Sequence, residues 1–278
     1  MRIQVLTDNQ KISKDLKSEH GLCIYFETET CKFLLDTGAS DLFLINALKM
    51  EIDLKDVDYV FISHGHADHT GGLSKFLEIN DKAKIITSEK SFNQNFYSVR
   101  NGKRKVSVEN DFSQYSDRFL FVKEDMEICS NIKIFNCTSN EFPLPKANST
   151  LMVEFGNQLV TDDFSHELIF TYGQDELLVY SGCTHKGIIN VLNEISAKTH
   201  KKINLLIGGF HLLDDNYETE EEVTGIAEYL AKNYSETYLF TGHCTGNKVY
   251  SIMKKVLGDH LNYFYTGIAL VNNKYKIK

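Results

Sequence analysis

The first third of the chain alternates short apolar runs with polar breaks. IQVLT, GLCIYFE and KFLLDTG each have the length and β-branched or aromatic content of a strand, and the polar TETC between the last two predicts a hairpin. DLFLINALKM then fits a short helix. From Asp58 the pattern changes to apolar runs followed by segments of helical period, the signature of strand–helix units. Four such units are legible. YVFIS leads into TGGLSKFL, and ELLVYSG leads into a helix with Ile188, Val191, Leu192 and Ile195 on one face. INLLIGG leads to a helix carrying Val223, Ile226, Ala227 and Leu230, opened by a Thr219/Glu222 capping box. TYLFTG leads to one carrying Val249, Ile252, Met253 and Val256, stopped by Gly258.

Between about residues 88 and 163 the signals weaken. SFNQNFYSVRNGKRKVSVENDFSQYSDRF is polar and aromatic, and both prolines, Pro143 and Pro145, lie in EFPLPKANS, so this region reads as an elaborated insertion over the fold. With no linker, repeat or low-complexity tract in view, residues 1–278 are expected to form a single α/β domain.

Composition narrows the partners. A hydrophobic content of 42% with 24% charged residues suits a globular protein with a sizeable core, and a net charge of −8 works against broad nucleic-acid or anionic-membrane binding. MRIQVLTDNQ lacks the zones of a signal peptide, and no apolar run approaches the ~18 residues of a membrane span, so a cytoplasmic protein is expected. The six cysteines form no CxxC pair, and in reducing cytosol they are expected to serve mostly as small buried hydrophobes. A homo-oligomeric state is left open.

The chemistry gathers where the four strands end. The first runs into HGHADH, the second into CTH, the third into FH and the fourth into HC. Loops leaving the carboxyl ends of α/β strands form the binding crevice, so His64, His66, Asp68, His69, Cys183, His185, His211, His243 and Cys244 are expected to share one edge of the sheet. Placing three of ten histidines with an aspartate inside six residues should arise by chance on the order of once per thousand such chains. In a strand His64 and His66 point to the same side, so their spacing suits a strand end or tight loop with both rings facing one ion, Gly65 permitting the bend. Asp68 and His69 lie just beyond and can face a neighbouring ion. Imidazole and carboxylate are zinc ligands, and open catalytic sites keep a position for water.

These motifs carry a resemblance. DTG, SHGHADHTGGL, SGCTHKG, GGFH and GHCTG resemble the metallo-β-lactamase superfamily, which implies a four-layer αβ/βα sandwich with a dinuclear metal site. Within it, EHGLCIYFE, LLDTGAS, ISHGHADHTGGL, SGCTHKGI, GGFHL and GHCTG, in this order, resemble the 7,8-dihydropterin-6-methyl-4-(β-D-ribofuranosyl)aminobenzene 5'-phosphate synthase subfamily. The resemblance implies that His64 and His66 bind one ion with His185 as third ligand, and that Asp68 and His69 bind the other with His243. It also implies that Asp36 supports the ligands from behind. Many superfamily hydrolases place a bridging aspartate where this chain has Cys183. Either Cys183 ligates as a thiolate, or the bridge is missing, or Asp162 or Asp163 supplies it.

The expected function is a metal-dependent hydrolase acting on a small anionic, phosphorylated substrate. One or two zinc ions, with iron and manganese as alternatives, would supply hydroxide at neutral pH, Asp68 would orient the nucleophile and His211 would serve as the acid. Two alternatives belong to other classes: the condensation chemistry of the synthase subfamily, and a redox or metal-sensing role for Cys183 and Cys244. His20, Lys186, Lys248, the Gly71–Gly72 helix start and the basic run Arg100 to Lys105 are secondary candidates for anion or substrate contact. His166, His200 and His260 read as solvated.

Overall fold

A computed structural model of the protein describes residues 1–271; residues 272–278, the end of the span expected to form one domain, lie outside the described residues. By its contacts the chain divides into two compact units. The first comprises Met1–Tyr97, Lys103–Lys123 and the described residues from Phe264; the second comprises Ser98–Gly102 and Glu124–Tyr263.

The first unit is built on a seven-stranded sheet. Its order is Ala269–Val271, Arg2–Thr7, Cys23–Glu27, Lys32–Leu35, Tyr59–Phe61, Lys84–Thr87 and Phe119–Phe121. The first four strands pair antiparallel, including the expected hairpin with Ile24 opposite Leu35. From Lys32–Leu35 onward the pairing is parallel, which brings the carboxyl ends of these strands to one edge. The helices Leu42–Lys49 and Leu73–Ile79 bury Phe43, Ala47, Leu73, Phe76 and Leu77 in a core with Leu34, Val60 and Ile85. Apolar strand faces meeting these helical stripes are what fix the register.

The second unit has its own seven-stranded sheet and its own core. The order is Leu261–Tyr263, Tyr238–Thr241, Lys202–Ile207, Glu176–Tyr180, Leu168–Tyr172, Ile132–Asn136 and Met126–Cys129. The first four strands are parallel and the rest antiparallel. Helices Ile188–Thr199, Glu220–Asn233 and Asn247–Leu257 bury the apolar faces read from the sequence against Val179, Leu206 and Leu239. The Thr219/Glu222 capping box is present, and Gly258 ends its helix at φ 53°. Ile226 and Val256 are only partly buried.

Two expectations change. The four strands that carry the histidines do not lie in one sheet: Tyr59–Phe61 belongs to the first, the other three to the second. Parallel pairing aligns strand ends only within a sheet, so the expected single edge is divided. The weak region is also more than an insertion over a finished fold, because Phe119–Phe121 completes the first sheet and Ile132–Asn136 and Met126–Cys129 complete the second. Strands this short carry too few residues to show a period.

Candidate metal centre

In the first unit the strand Tyr59–Phe61 delivers the chain to Ser63 and His64, and His66 caps the short helix Ala67–Thr70, so Asp68 and His69 stand on one helical turn. The rings of His64 and His69 lie 4.1 Å apart between centroids, and those of His64 and His66 lie 4.7 Å apart. His64, His66 and His69 are all buried. Gly65 is required here by packing rather than by a bend. A Cβ on it would fall 2.5 Å from a Phe96 ring carbon and 2.7 Å from the Ser91 carbonyl. Gly71 and Gly72 likewise press against the Ala39 and Thr37 carbonyls, where a Cβ would fall at 2.2 Å in each case.

A hydrogen-bond chain fixes the tautomers. The buried Asp36 carboxylate accepts the Ser63 amide at 2.7 Å and the Ser63 hydroxyl at 2.7 Å. Having spent its one proton on a carboxylate, the Ser63 hydroxyl is left to accept from His64 Nδ1 at 2.8 Å. His69 Nδ1 donates to Asp36 Oδ2 at 2.7 Å. In the neutral rings of both histidines the proton therefore sits on Nδ1 and the lone pair on Nε2, the form in which imidazole binds a metal. Asp36 holds the His69 ring directly and the His64 ring through Ser63, and Ser63 is the link the sequence reading missed. Asp68 is partly exposed and pairs with His20 Nε2 at 3.2 Å, so His20 stands at this site.

The second unit assembles its cluster from separate loops. Cys183 and His185 follow Glu176–Tyr180, His211 follows Lys202–Ile207, and His243 and Cys244 follow Tyr238–Thr241. Cys183 is buried, and its sulfur lies within 4.8 Å of ring nitrogens of His185 and His243 and of the His211–Cys244 pair. Asn148 donates to the His185 carbonyl at 2.8 Å, which turns its oxygen toward His185 Nδ1 at 3.0 Å and again leaves the lone pair on Nε2. Phe164 stacks on the His185 ring at 4.3 Å, and His211 lies 4.2 Å from it. Glu167, fully buried, accepts the His185 and Lys186 amides at 2.8 and 2.9 Å, and burial pushes its carboxyl up. Burial alone would also raise the Cys244 thiol, but Cys183, His211 and His243 outweigh it and hold it well below its ordinary value. The His211 amide donates to that sulfur at 3.2 Å. Asn148, Phe164 and Glu167 carry no spacing signal and were invisible in the sequence.

Backbone strain collects at both clusters. Nine described non-glycine residues have positive φ, and five of them, Asp36, Phe164, Thr184, His211 and His243, stand in these loops. Each costs about 1–3 kcal/mol, a cost that persists where the surrounding structure over-determines the conformation.

Residues 18–122 match the model of the metallo-β-lactamase superfamily. Tm1679, named a metal-dependent hydrolase of the β-lactamase superfamily, superposes with a TM-score of 0.81 at 29% identity, covering 98% of each chain. The chain shares the metallo-β-lactamase fold. A relative from Methanocaldococcus jannaschii, named 7,8-dihydropterin-6-methyl-4-(β-D-ribofuranosyl)-aminobenzene-5'-phosphate synthase, is 25% identical over 90% of this chain and 89% of its own. A diphosphatase of the PhnP family shares the metallo-β-lactamase fold, with a TM-score of 0.54 at 12% identity over 100% of this chain and 99% of its own.

Several secondary candidates fall away. Asp162 is not one of them: it accepts the Phe164 amide at 2.8 Å and pairs with His166 at 3.0 Å, so His166 is buried rather than solvated, and both side chains stay among the groups able to hold a metal ion. Asp163 accepts the Ser165 amide at 2.9 Å and is exposed. Lys186 is buried with its ammonium on the Asp163 carbonyl at 2.7 Å, and the amides at the helix start by Lys248 are filled by Asp214. The basic run does not converge on an anion. Arg100 lies over Tyr217, Lys103 over Tyr97, and Lys105 pairs with Glu109 at 3.0 Å. Among the described residues no helix is long and apolar enough to cross a membrane.

Proposed function

We propose that this protein is a metal-dependent hydrolase of a small anionic, phosphorylated substrate. The observation that carries the reading is the Asp36–Ser63 network, which holds His64 and His69 side by side with Nε2 as the donor atom of each neutral ring. The ligands would be His64, His66, Asp68 and His69 from the first unit and His185, His243 and Cys183, as a thiolate, from the second, with zinc as the metal best matched to this donor set; iron and manganese are the alternatives. When bound, such ions supply Lewis acidity and lower the pKa of water.

The chain's own groups do the rest. Asp36, Ser63 and Asn148 fix the imidazole tautomers, and Glu167 holds the His185 loop by its amides. Asp68, steadied by His20, orients the attacking water through its carboxylate. His211 is buried, and neither ring nitrogen meets a hydrogen-bonding partner among the described residues, which leaves the ring able to pass a proton to the leaving group. Tm1679, at 29% identity, supports a hydrolase by its name, and the M. jannaschii relative supports a second reading, condensation of a ribose phosphate with an aminobenzene.

The test is metal analysis of the purified protein followed by chelation and reconstitution, assayed on bis(p-nitrophenyl) phosphate and p-nitrophenyl phosphate. Hydrolysis that vanishes with the metal and returns with zinc, iron or manganese is expected. Hydrolysis indifferent to chelation removes the proposal. Condensation of the two synthase substrates without any ester hydrolysis selects the second reading.

A further inference from the structure

The second unit contains a cavity of about 280 Å³ with a mostly apolar wall. Phe142, Phe210, Leu212, Ile226 and Tyr229 form most of that wall, and the Phe142 and Tyr229 rings meet edge to face at 4.8 Å. It adjoins the catalytic loops, because Phe210 and Leu212 flank His211 and Gly187 follows the His185–Lys186 pair.

Two features point to a space kept for a ligand rather than left by loose packing. Glu218 lines it; one carboxylate oxygen accepts the Lys146 amide at 2.6 Å, while the other, Oε2, is buried and meets no donor among the described residues. A buried carboxylate oxygen without a donor is costly, and an N–H from a bound molecule would offset that cost. Gly225 stands in the helix Glu220–Asn233 at the cavity, with nothing within 4 Å of where a Cβ would be. Glycine inside a helix costs about 0.5–1 kcal/mol relative to alanine, and here it keeps the opening clear.

We infer that this cavity is a recognition pocket for a flat aromatic group of one or two fused rings, seated with an N–H donor on Glu218 Oε2. Its volume falls just under the ~300–1,000 Å³ of sites for drug-sized ligands, and rings present their faces and edges to the aromatic wall. A purely aliphatic ligand would leave Oε2 without a donor. The role as the subsite for the aromatic portion of the substrate rests on the hydrolase reading above; the binding itself does not.

The test uses an isosteric pair, 2-aminoquinoline and 2-methylquinoline, titrated into the full-length protein by calorimetry at pH 8. The amine should bind at least about tenfold more tightly than its methyl isostere, the discrimination expected when a buried acceptor gains or lacks its donor. In Glu218→Gln the amide oxygen stays with the Lys146 N–H and the NH₂ faces the cavity, so the preference for the amine should disappear. Gly225→Leu fills the opening while favouring the helix, so it should keep its thermal midpoint and lose both ligands. Equal binding of the pair, no binding of either at millimolar concentration, or undiminished binding to Gly225→Leu would each overturn the inference. Binding as described in a protein that hydrolyses no ester leaves the pocket standing and removes only the reaction.

Discussion

In the first unit three imidazoles and a carboxylate come from the consecutive residues His64 to His69, and one buried aspartate holds two of the rings. In the second unit His185, His211 and His243 come from three strand ends, and His185 has its own partners, Asn148 and Phe164. The contiguous cluster concentrates its support in Asp36, whereas the dispersed one spreads support over residues far apart in the chain. Damage to a single supporting residue should therefore be worse in the first unit than in the second.

The largest expected effect is loss of a ligand from the contiguous cluster. His66→Ala should reduce bound metal and phosphodiester hydrolysis by more than about 100-fold, since losing a ligand exceeds the 10–100-fold typical of losing its supporting partner. Metal content near wild type in that variant would contradict the ligand assignment. Next come the supports themselves. Asp36→Asn should weaken metal affinity by about 100-fold, because it disturbs His69 directly and His64 through Ser63, while Asn148→Ala should cost about tenfold through His185 alone. Competition with a chelator measures both, and equal losses would show that support is not concentrated as described.

A smaller effect lies away from the imidazoles. Burial pushes the Glu194 carboxyl up, but the Ser139 amide, the Lys198 ammonium, the Cys137 thiol and the Thr138 amide outweigh it and hold it below the ordinary range. A depressed carboxyl contributes stability above its unfolded pKa and loses it as pH falls through the folded value. Glu194→Gln should thus destabilise by about 1–2 kcal/mol at pH 7, with the difference from wild type closing below about pH 4 in urea titrations. Smallest of all, Thr219→Ala should cost about 1 kcal/mol through the lost cap and leave hydrolysis unchanged.

The contrast also explains what could be read in advance. HGHADH was conspicuous because its ligands are neighbours in the chain, and the helices after Tyr180, Ile207 and Thr241 were readable because each buries a stripe of helical period. Asn148 and Glu167 were not, since a lone polar residue becomes a support only when folding sets it against a distant loop. The depressed Cys244 thiol was equally hidden, because it depends on neighbours from two other loops.

By itself the sequence determined the strand–helix alternation, the histidine string and the family resemblance, because these rest on local period and on spacing between near neighbours. Only the tertiary structure decided which sheet each histidine-bearing strand joins, which nitrogen of His64, His69 and His185 carries the proton, and that Glu218 faces an apolar cavity. Those outcomes depend largely on hydrogen bonds between residues 27 to 72 positions apart, which no local pattern along the chain encodes.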